Sequence, residues 1–456
     1  MVKIGLEIHG YINTKEKLFC NCKAIHGLKQ AKPNTFICPI CTGQPGSKPM
    51  LPNSEAIKKI IEIGLILGCK INQKLIWQRK HYSWPDLPKG YQNTISGTHA
   101  IPVGVKGKFQ NINITEVHLE EDPAAWNPET GEIDYNRSGA PLVEIVTEPD
   151  FSSPEQVIEW LKQLILTLSY IKAIDKSAGI KADVNISLPE KKGVRVELKN
   201  INSLKNIQAA IKTEIKRQLK EGVTKTQETR RYDSIKNITT KMRSKEQAQD
   251  YRFISDPDLP TIKIKKTKIE KLKKQLPETP QTKLKKLIKK HKISKKHAEV
   301  LTKKLELVEF FEKVVKKIKK ELALSWTLIE LPRILNYNKK ELSDEKINIQ
   351  VEHFIELLKL VEKKIITELK AKEILNKFIP KSFSPAKHIQ QHKQISDEKQ
   401  IEKIIEKVIS QNKKAVQDYK TGQQNSLNFL IGQVMKLSNK RADYKIVKQI
   451  LEGKLK

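Results

Sequence analysis

Four cysteines stand close together near the start of the chain, Cys20 and Cys22 in CNC, then Cys38 and Cys41 in CPIC. Two short loops that each offer a thiolate pair can close a tetrahedron around Zn2+, and Pro39 and Gly43 supply turn residues beside the second pair. The competing use of these residues is disulfide bonding. That needs an oxidising compartment, and the N-terminus lacks the basic, then apolar, then small-residue order of an export signal. The pattern reads as a zinc knuckle. Four thiolates leave no open coordination position, so the metal is expected to hold structure together and chemistry is expected elsewhere. Cys69, the remaining cysteine, follows an apolar stretch at 57–67 and reads as a small buried hydrophobe.

A length of 456 residues predicts two or three domains. The longest apolar run, 60–69, is interrupted by Glu62 and is too short to cross a bilayer, so a cytoplasmic protein with no membrane partner is expected. The formal net charge is +34 and is unevenly spread: residues 1–260 carry 38 basic and 29 acidic side chains, residues 261–456 carry 48 and 23. Lysine-rich composition and solvated helix faces explain part of the excess. They do not explain the asymmetry, which is strongest at 263–296 with 15 lysines. A nucleic acid, with phosphates spaced along a backbone, fits such a surface; an acidic protein partner is the alternative.

Short β-type runs separated by Gly, Pro and Asn dominate the first 260 residues, at 2–8, 75–78, 112–119, 142–147, 182–188 and 194–198. Helical periodicity appears at 53–67, at 206–219, and at 154–170, where Ser153-Pro154-Glu155-Gln156 forms a capping box with proline at the first helical position. Strands that do not alternate regularly with helices predict an α+β domain with a mixed or antiparallel sheet. Beyond 256–260 the pattern becomes all-helical, with segments at 282–290, 295–315 and 351–369. A proline-containing polar break follows at 378–396, then three amphipathic segments at 398–410, 425–437 and 443–455. This last part is expected to be a small helical unit, mobile on a linker with little to bury.

GxxxxGK[ST], GxGxxG and the kinase set of Gly-rich loop, HRD and DFG are all missing from the sequence, as are a Gly/Ser-rich amidase segment and a nucleophile elbow. KMRSK at 241–245 lacks the HxGH partner of a class I synthetase. What remains is a set of polar clusters flanked by apolar runs. Strand alternation puts Glu7 and His9 of GLEIH on one face, as a metal or acid-base pair or as an ordinary polar strand edge. His118-Leu119-Glu120-Glu121-Asp122 stacks three carboxylates that repel one another, so it suits either a bound Mg2+ or a solvated acidic turn. The loop 79–92, RKHYSWPDLPKGYQ, mixes basic and aromatic residues, Lys80, Lys89 and Tyr91 among them, and could clamp phosphates or a stacked base. Asp183 and Asn185 of ADVNIS, Glu197, Lys199 and Asn200 of VELKNINS, Arg230 of QETRRYD and Arg243 of MRSKE complete the set. Together they predict a wide, metal-assisted polar cleft.

Taken in order, GLEIH, the CxC and CxxC pairs, RKHYSWPDLPKGYQ, HLEEDP, NRSGAPLVEIVTEPD, ELKNINS, QETRRYD, MRSKE, DYRFISDPDLP and FLIGQVMKLS resemble the GatB family, one of the subunits of the tRNA-dependent amidotransferases. The likeness spans essentially the whole chain. The related archaeal GatE family matches less well because it carries an inserted domain absent here. The resemblance implies a cradle-shaped kinase domain at 1–270 with the knuckle at 20–41, a helical domain at 271–385, and a YqeY-like, tRNA-binding tail at 386–456. It implies an amidotransferase that uses ATP and Mg2+ to phosphorylate the side-chain carboxylate of Asp-tRNA(Asn) or Glu-tRNA(Gln). Ammonia from a glutaminase subunit, joined through a small third subunit, then displaces phosphate.

Residue by residue, the resemblance assigns Glu7, His9 and Glu121 to magnesium, and Lys80, Glu121 and Asp183 to catalysis. With Glu7 and His9, the residues Lys89, Tyr91, Lys199, Asn200, Arg230 and Arg243 are the candidate nucleotide contacts. Alternation alone pairs His118 with Glu120, so the choice of Glu121 requires the strand to end before it. DPAAWNPETG departs from the DAGK of many relatives, which leaves the loop contacts there unassigned. A zinc-stabilised tRNA-binding scaffold with a silent site is the competing reading, and a synthetase is excluded for want of its signatures.

Overall fold

The run KIGLEIHGY alternates apolar and polar side chains and forms a nine-residue strand, Lys3–Tyr11, near the middle of a 12-stranded sheet. In this computed structural model residues 2–25, 31–175, 178–244, 252–344, 346–388, 395 and 397–455 are described; the side chains of Asn200, Arg243 and Ser244 are not. From one edge the sheet runs Ile238–Ser244, Glu228–Asp233, Val196–Ile201, Ile180–Ser187, Lys3–Tyr11, Pro141–Thr147, Ile112–Glu121, Tyr91–Thr94, Gln78–His81 and Phe253–Ser255. Gly104–Phe109 also pairs with Ile112–Glu121, and Lys70–Ile71 with Gly104–Phe109. All pairings are antiparallel except Val196–Ile201 with Glu228–Asp233, where the intervening helix Leu204–Glu221 returns the chain to the starting end.

Period-two alternation divides the sheet chemically. Leu6, Ile8, Val117, Leu119, Val143, Ile145, Val184 and Ile186 are buried in one core with the apolar faces of Ser54–Ile66, Pro154–Tyr170 and Leu204–Glu221. The other face carries Glu7, His9, His118, Glu120, Glu144 and Asp183. Asn53 caps the first helix by accepting from Glu55 and Ala56 N–H, and Ser153 caps the second by accepting from Gln156 N–H at 3.2 Å. The return arm of that box closes one residue early: Gln156 Oε1 accepts from Ser152 N–H at 2.9 Å. Trp160 packs edge-on against Phe109 and Phe151 while its Nε1–H donates to Phe109 O at 2.9 Å.

The chain divides into the units Met1–Thr279 and Pro280–Lys456. Helix Lys266–Gln275 belongs to the first, because Leu272 is buried in its core. In the second unit the periodic stretch 295–315 is two helices, Lys295–Leu301 and Leu305–Val314. Thr302 turns its hydroxyl back to Ala298 O at 2.8 Å between them. The stretch 351–369 also breaks: Lys364 adopts φ +56° and Thr367 caps a fresh helix, Glu368–Asn376, after Val351–Glu362. Around Trp326–Glu330 the helix widens into a π-turn, for Pro332 has no N–H to donate four residues back.

The C-terminal helices Glu398–Gln411, Asn425–Leu437 and Tyr444–Leu455 share a core that includes Ile401, Ile405, Leu430, Val434, Val447 and Leu451. A further helix at Lys413–Lys420 was not expected; it presents only the half-buried Ala415, Val416 and Tyr419 to that core. The tail also touches the helix Glu368–Asn376, through Thr367 Oγ1 to Lys440 O and Lys440 Nζ to Glu373 Oε1 at 2.6 Å. Part of the proposed linker, 389–394 and 396, lies outside the described residues. Among the described residues no helix is long and apolar enough to cross a membrane.

Glu214 is fully buried beneath the edge strands, where it accepts from Arg217 Nη2 at 2.7 Å, Gln218 Nε2 at 2.9 Å and Thr239 Oγ1 at 2.6 Å. Burial opposes its charge, but these donors prevail and hold its pKa below the usual carboxylate value. A pKa depressed by folding gives stability that is present above the unfolded value and lost as pH falls through the folded one. Replacing Glu214 with Ala is expected to cost the first unit roughly 3–5 kcal/mol at pH 7, because Arg217, Gln218 and Thr239 lose their shared acceptor. In urea melts the gap from wild type should shrink as the pH falls below about 4.

Candidate active site and metal centre

The antiparallel register places His9 opposite Glu144 and Glu144 opposite His118, in a row across three neighbouring strands. His9 Nε2 lies 3.2 Å from Glu144 Oε2 and 3.8 Å from Glu120 Oε1. His118 sits behind them, with Nε2 3.0 Å from the same Glu144 oxygen and Nδ1 3.1 Å from Glu116 Oε1. On the other neighbour of the central strand Glu7 faces Asp183, and Glu7 Oε1 accepts from Asn185 Nδ2 at 3.0 Å. Ligand-capable atoms of His9, Glu120 and Glu144 lie within 4.8 Å of one another, as do those of Glu7, Asp183 and Glu197.

Burial opposes protonation of His9 and His118, yet Glu144 and its neighbours prevail and raise them to about 9 and about 10. Burial raises Glu144 too, but the two imidazoles win and hold it well below the ordinary range. Glu7 and Glu120 are pushed up, by burial first and then by repulsion from Glu144. Asn185 Oδ1 is buried without a hydrogen-bond partner. Carboxylates raised by burial and then by repulsion, with an imidazole in one group and a spare amide oxygen beside the other, form hard donor sets that fit a divalent cation.

These groups line or back an open polar cleft of about 330 Å3. Lys80, Gln92, Asp122, Arg137, Lys181, Asp183 and Lys199 also line it. Lys199 Nζ is 3.4 Å from Asp183 and 3.2 Å from Glu197. Arg137 Nε is 3.4 Å from Asp122, whose other neighbour is the Tyr11 hydroxyl, donating at 2.6 Å. Glu144 and Arg137 were missed by sequence reasoning, although a lone charge inside the apolar run LVEIV was the available signal for the first.

Several expected members stand elsewhere. The strand does not end before Glu121; it pairs Glu121 with Pro141, and alternation turns Glu121 away from His9. There Glu121 Oε1 accepts from Lys89 Nζ at 2.5 Å and from Asn93 N–H at 2.9 Å. Lys89 and Tyr91 share that side: Lys89 Nζ is 5.0 Å from the Tyr91 ring centre, over which Arg79 also lies at 4.4 Å. Arg230 does not line the cleft. Its guanidinium donates to Glu228 at 2.9 Å and to Thr239 O at 2.7 Å. The side chains of Asn200 and Arg243, and all of 245–246 in MRSKE, lie outside the described residues.

Cys20, Cys22, Cys38 and Cys41 form a second cluster, with all four sulfurs within 4.8 Å. Cys38 and Cys41 Sγ are 3.9 Å apart, close to the roughly 3.8 Å edge of a tetrahedron with 2.3 Å metal–sulfur bonds. Donation from Cys20 and then Lys17 lowers Cys41 to about 4, while burial and Cys38 raise Cys22 to about 11. Such a set can carry four thiolates only around a cation, and it can hold a metal ion such as zinc. Lys17, 1% exposed, donates Nζ to Cys41 Sγ at 3.3 Å and to Tyr135 O at 3.1 Å. Gly43, at φ +65°, admits Pro88 O where a Cβ would stand 2.3 Å away. Burial raises the Cys69 thiol to about 12, as suits a packed hydrophobe.

Residues 2–270 match the family model of the GatB/GatE catalytic domain, and residues 309–455 match the GatB domain. The chain belongs to the GatB family. It is similar to the GatB subunit of the aspartyl/glutamyl-tRNA(Asn/Gln) amidotransferase of Methanocaldococcus jannaschii, at 43% identity over 100% of this chain and 98% of the relative. It is also similar to those of Methanopyrus kandleri, 40% identical over 100% and 98%, and Methanothermobacter thermautotrophicus, 42% identical over 97% and 97%. Both the His9 and the Cys20 clusters fall inside the GatB/GatE catalytic-domain match.

Protein purified without chelator should carry metal at the four sulfurs. The Cys38→Ser variant is expected to lose it and to melt several degrees lower; equal metal content by atomic spectroscopy and an unchanged melting curve would refute the site.

Proposed function

We propose that this chain activates the side-chain carboxylate of aspartyl-tRNA(Asn) or glutamyl-tRNA(Gln) with ATP and then converts it to the amide. The observation that carries this reading is the acid and imidazole cluster of His9, Glu120 and Glu144 opening into a cleft with Lys80 and Lys199, inside the matched GatB/GatE catalytic domain. A carboxylate oxygen of the substrate attacks the γ-phosphorus and ADP leaves. Ammonia then attacks the acyl carbon and phosphate departs.

A bound Mg2+ supplies neutralisation of phosphate charge; His9, Glu120 and Glu144 would hold it, with Glu7, Asp183 and Glu197 as a neighbouring acidic set. Lys80 and Lys199 place positive charge where the acyl phosphate develops. Asp183 keeps Lys199 directed into the cleft. Zinc held by Cys20, Cys22, Cys38 and Cys41 would fix the wall that carries Arg137. The ammonia comes from a glutaminase subunit held with a small third subunit, the basic helical parts at 271–385 and 386–456 hold the tRNA by shape and phosphates, and the protein works in the cytoplasm.

Supplied with ammonium salt, ATP, Mg2+ and each charged tRNA, the chain with its partner subunits is expected to release asparagine or glutamine after deacylation. If tRNA binds and neither appears, the silent-scaffold reading gains. Glu144→Gln should lower turnover by roughly 100-fold or more and weaken Mn2+ binding. Glu121→Gln should act on stability instead, with turnover within about tenfold of wild type, since its partner is Lys89. Wild-type turnover in the first variant and collapse in a fully folded second would reverse the assignment.

A further inference from the structure

Two tryptophans stand together beside the cleft. Trp84 lies between the lining residues Tyr82 and Asp86, and Trp126 lies in the hairpin of Ala125–Trp126 and Ile133–Asp134 that follows the lining residue Pro123. Their ring centres are 5.7 Å apart at an interplanar angle of 68°, so they form a corner. Trp84 is 48% exposed. The corner is fixed to the cleft wall: Ala124 N–H donates to Asp86 O at 2.9 Å, and Arg137 Nη2 donates to Ala124 O at 2.9 Å. Trp126 also borders a concavity of about 430 Å3 whose rim includes Asn34, Asn127 and Glu132.

An exposed indole in a proline-stiffened loop leaves a π-face in water with little entropy to lose on binding. A corner of two rings accepts a flat heterocycle, one face stacked and one edge against the second ring. The polar rim suits the donors and acceptors on that heterocycle's edge, and would be left unsatisfied by an aliphatic ligand.

We infer that Trp84 and Trp126 form a stacking platform for the nucleobase of the terminal, single-stranded nucleotide of the substrate RNA. This rests on the proposed function. There the amino acid is esterified to that nucleotide's ribose, so a carboxylate seated in the cleft obliges the attached base to lie beside it. Adenine of ATP offers the same stacking chemistry, and the two sources separate kinetically.

Trp84→Ala and Trp126→Ala, each in the full chain with its partner subunits, are expected to raise KM for aminoacyl-tRNA about tenfold, with kcat and KM for ATP unchanged. Trp126→Phe should stay within about twofold of wild type. Independently of turnover, the trinucleotide CCA should quench tryptophan fluorescence in the wild type and much less in Trp84→Ala. A raised KM for ATP in place of that for tRNA assigns the platform to the nucleotide and overturns the inference, as does wild-type KM in both alanine variants. If the wild type makes no amide at all, the functional reading fails while the CCA quench still decides the platform.

Discussion

The carboxylate of Glu144, held between the imidazoles of His9 and His118, is the interaction on which the site depends. Burying a carboxylate costs several kcal/mol unless it is paired and fully hydrogen-bonded, and here imidazoles on two different neighbouring strands do the pairing. Its geometry is a matter of register. A slip of one residue between Lys3–Tyr11 and Pro141–Thr147 would turn either the acid or the imidazole into the apolar core. Leu6, Ile8, Val143 and Ile145 on the reverse face forbid that slip, so the polar cluster is positioned by hydrophobic burial it takes no part in.

The knuckle reaches the same cleft through the loop that follows the Trp126 hairpin. Asn136 Oδ1 accepts from Thr35 and Phe36 N–H, and the Ser138 hydroxyl donates to Cys41 O at 2.8 Å. Arg137, between them, points the other way to Asp122 and the carbonyls of Pro123 and Ala124. Three consecutive residues therefore bind the cysteine loop on one side and the cleft wall on the other. A structural metal held by the four cysteines would reach the cleft through these residues, by fixing where Arg137 stands.

Much of this was legible because period-two alternation is a strong local signal. The strands around Glu7, His9 and Asp183, the caps at Asn53 and Ser153 and the cysteine pairs were all readable from short runs. Alternation put Glu120 on the face of His118, where it stands 3.8 Å from His9, while the Glu121 of the family resemblance turns to the opposite face. What local sequence could not carry was lateral pairing: nothing in LVEIV says that Glu144 will stand between two histidines 26 and 135 residues away in sequence. Arg230 misled for the converse reason. Arg230 of QETRRYD was a candidate nucleotide contact, but Glu228 two residues before it, at 2.9 Å, and the buried Glu214 of a distant helix, at 3.5 Å, hold its guanidinium.

The excess of lysine in the second unit has a physical cost that its own contacts do not remove. Lys283 pairs with Glu312, and Lys372 and Arg333 with Glu330, yet Lys285, Lys286, Lys289 and Lys290 crowd one short helix, Pro280–His291. The field is visible at its end, where burial first, and then Lys290 and Lys316, hold His291 below the usual imidazole value against the opposing pull of Glu312. Like charges this dense oppose the compact state, and the apolar contacts of Leu287 and Phe311 must offset them. A chain of phosphates laid along such a surface would convert that repulsion into attraction and release its own counterions, so the same lysines that weaken the free unit would favour a complex with the proposed RNA.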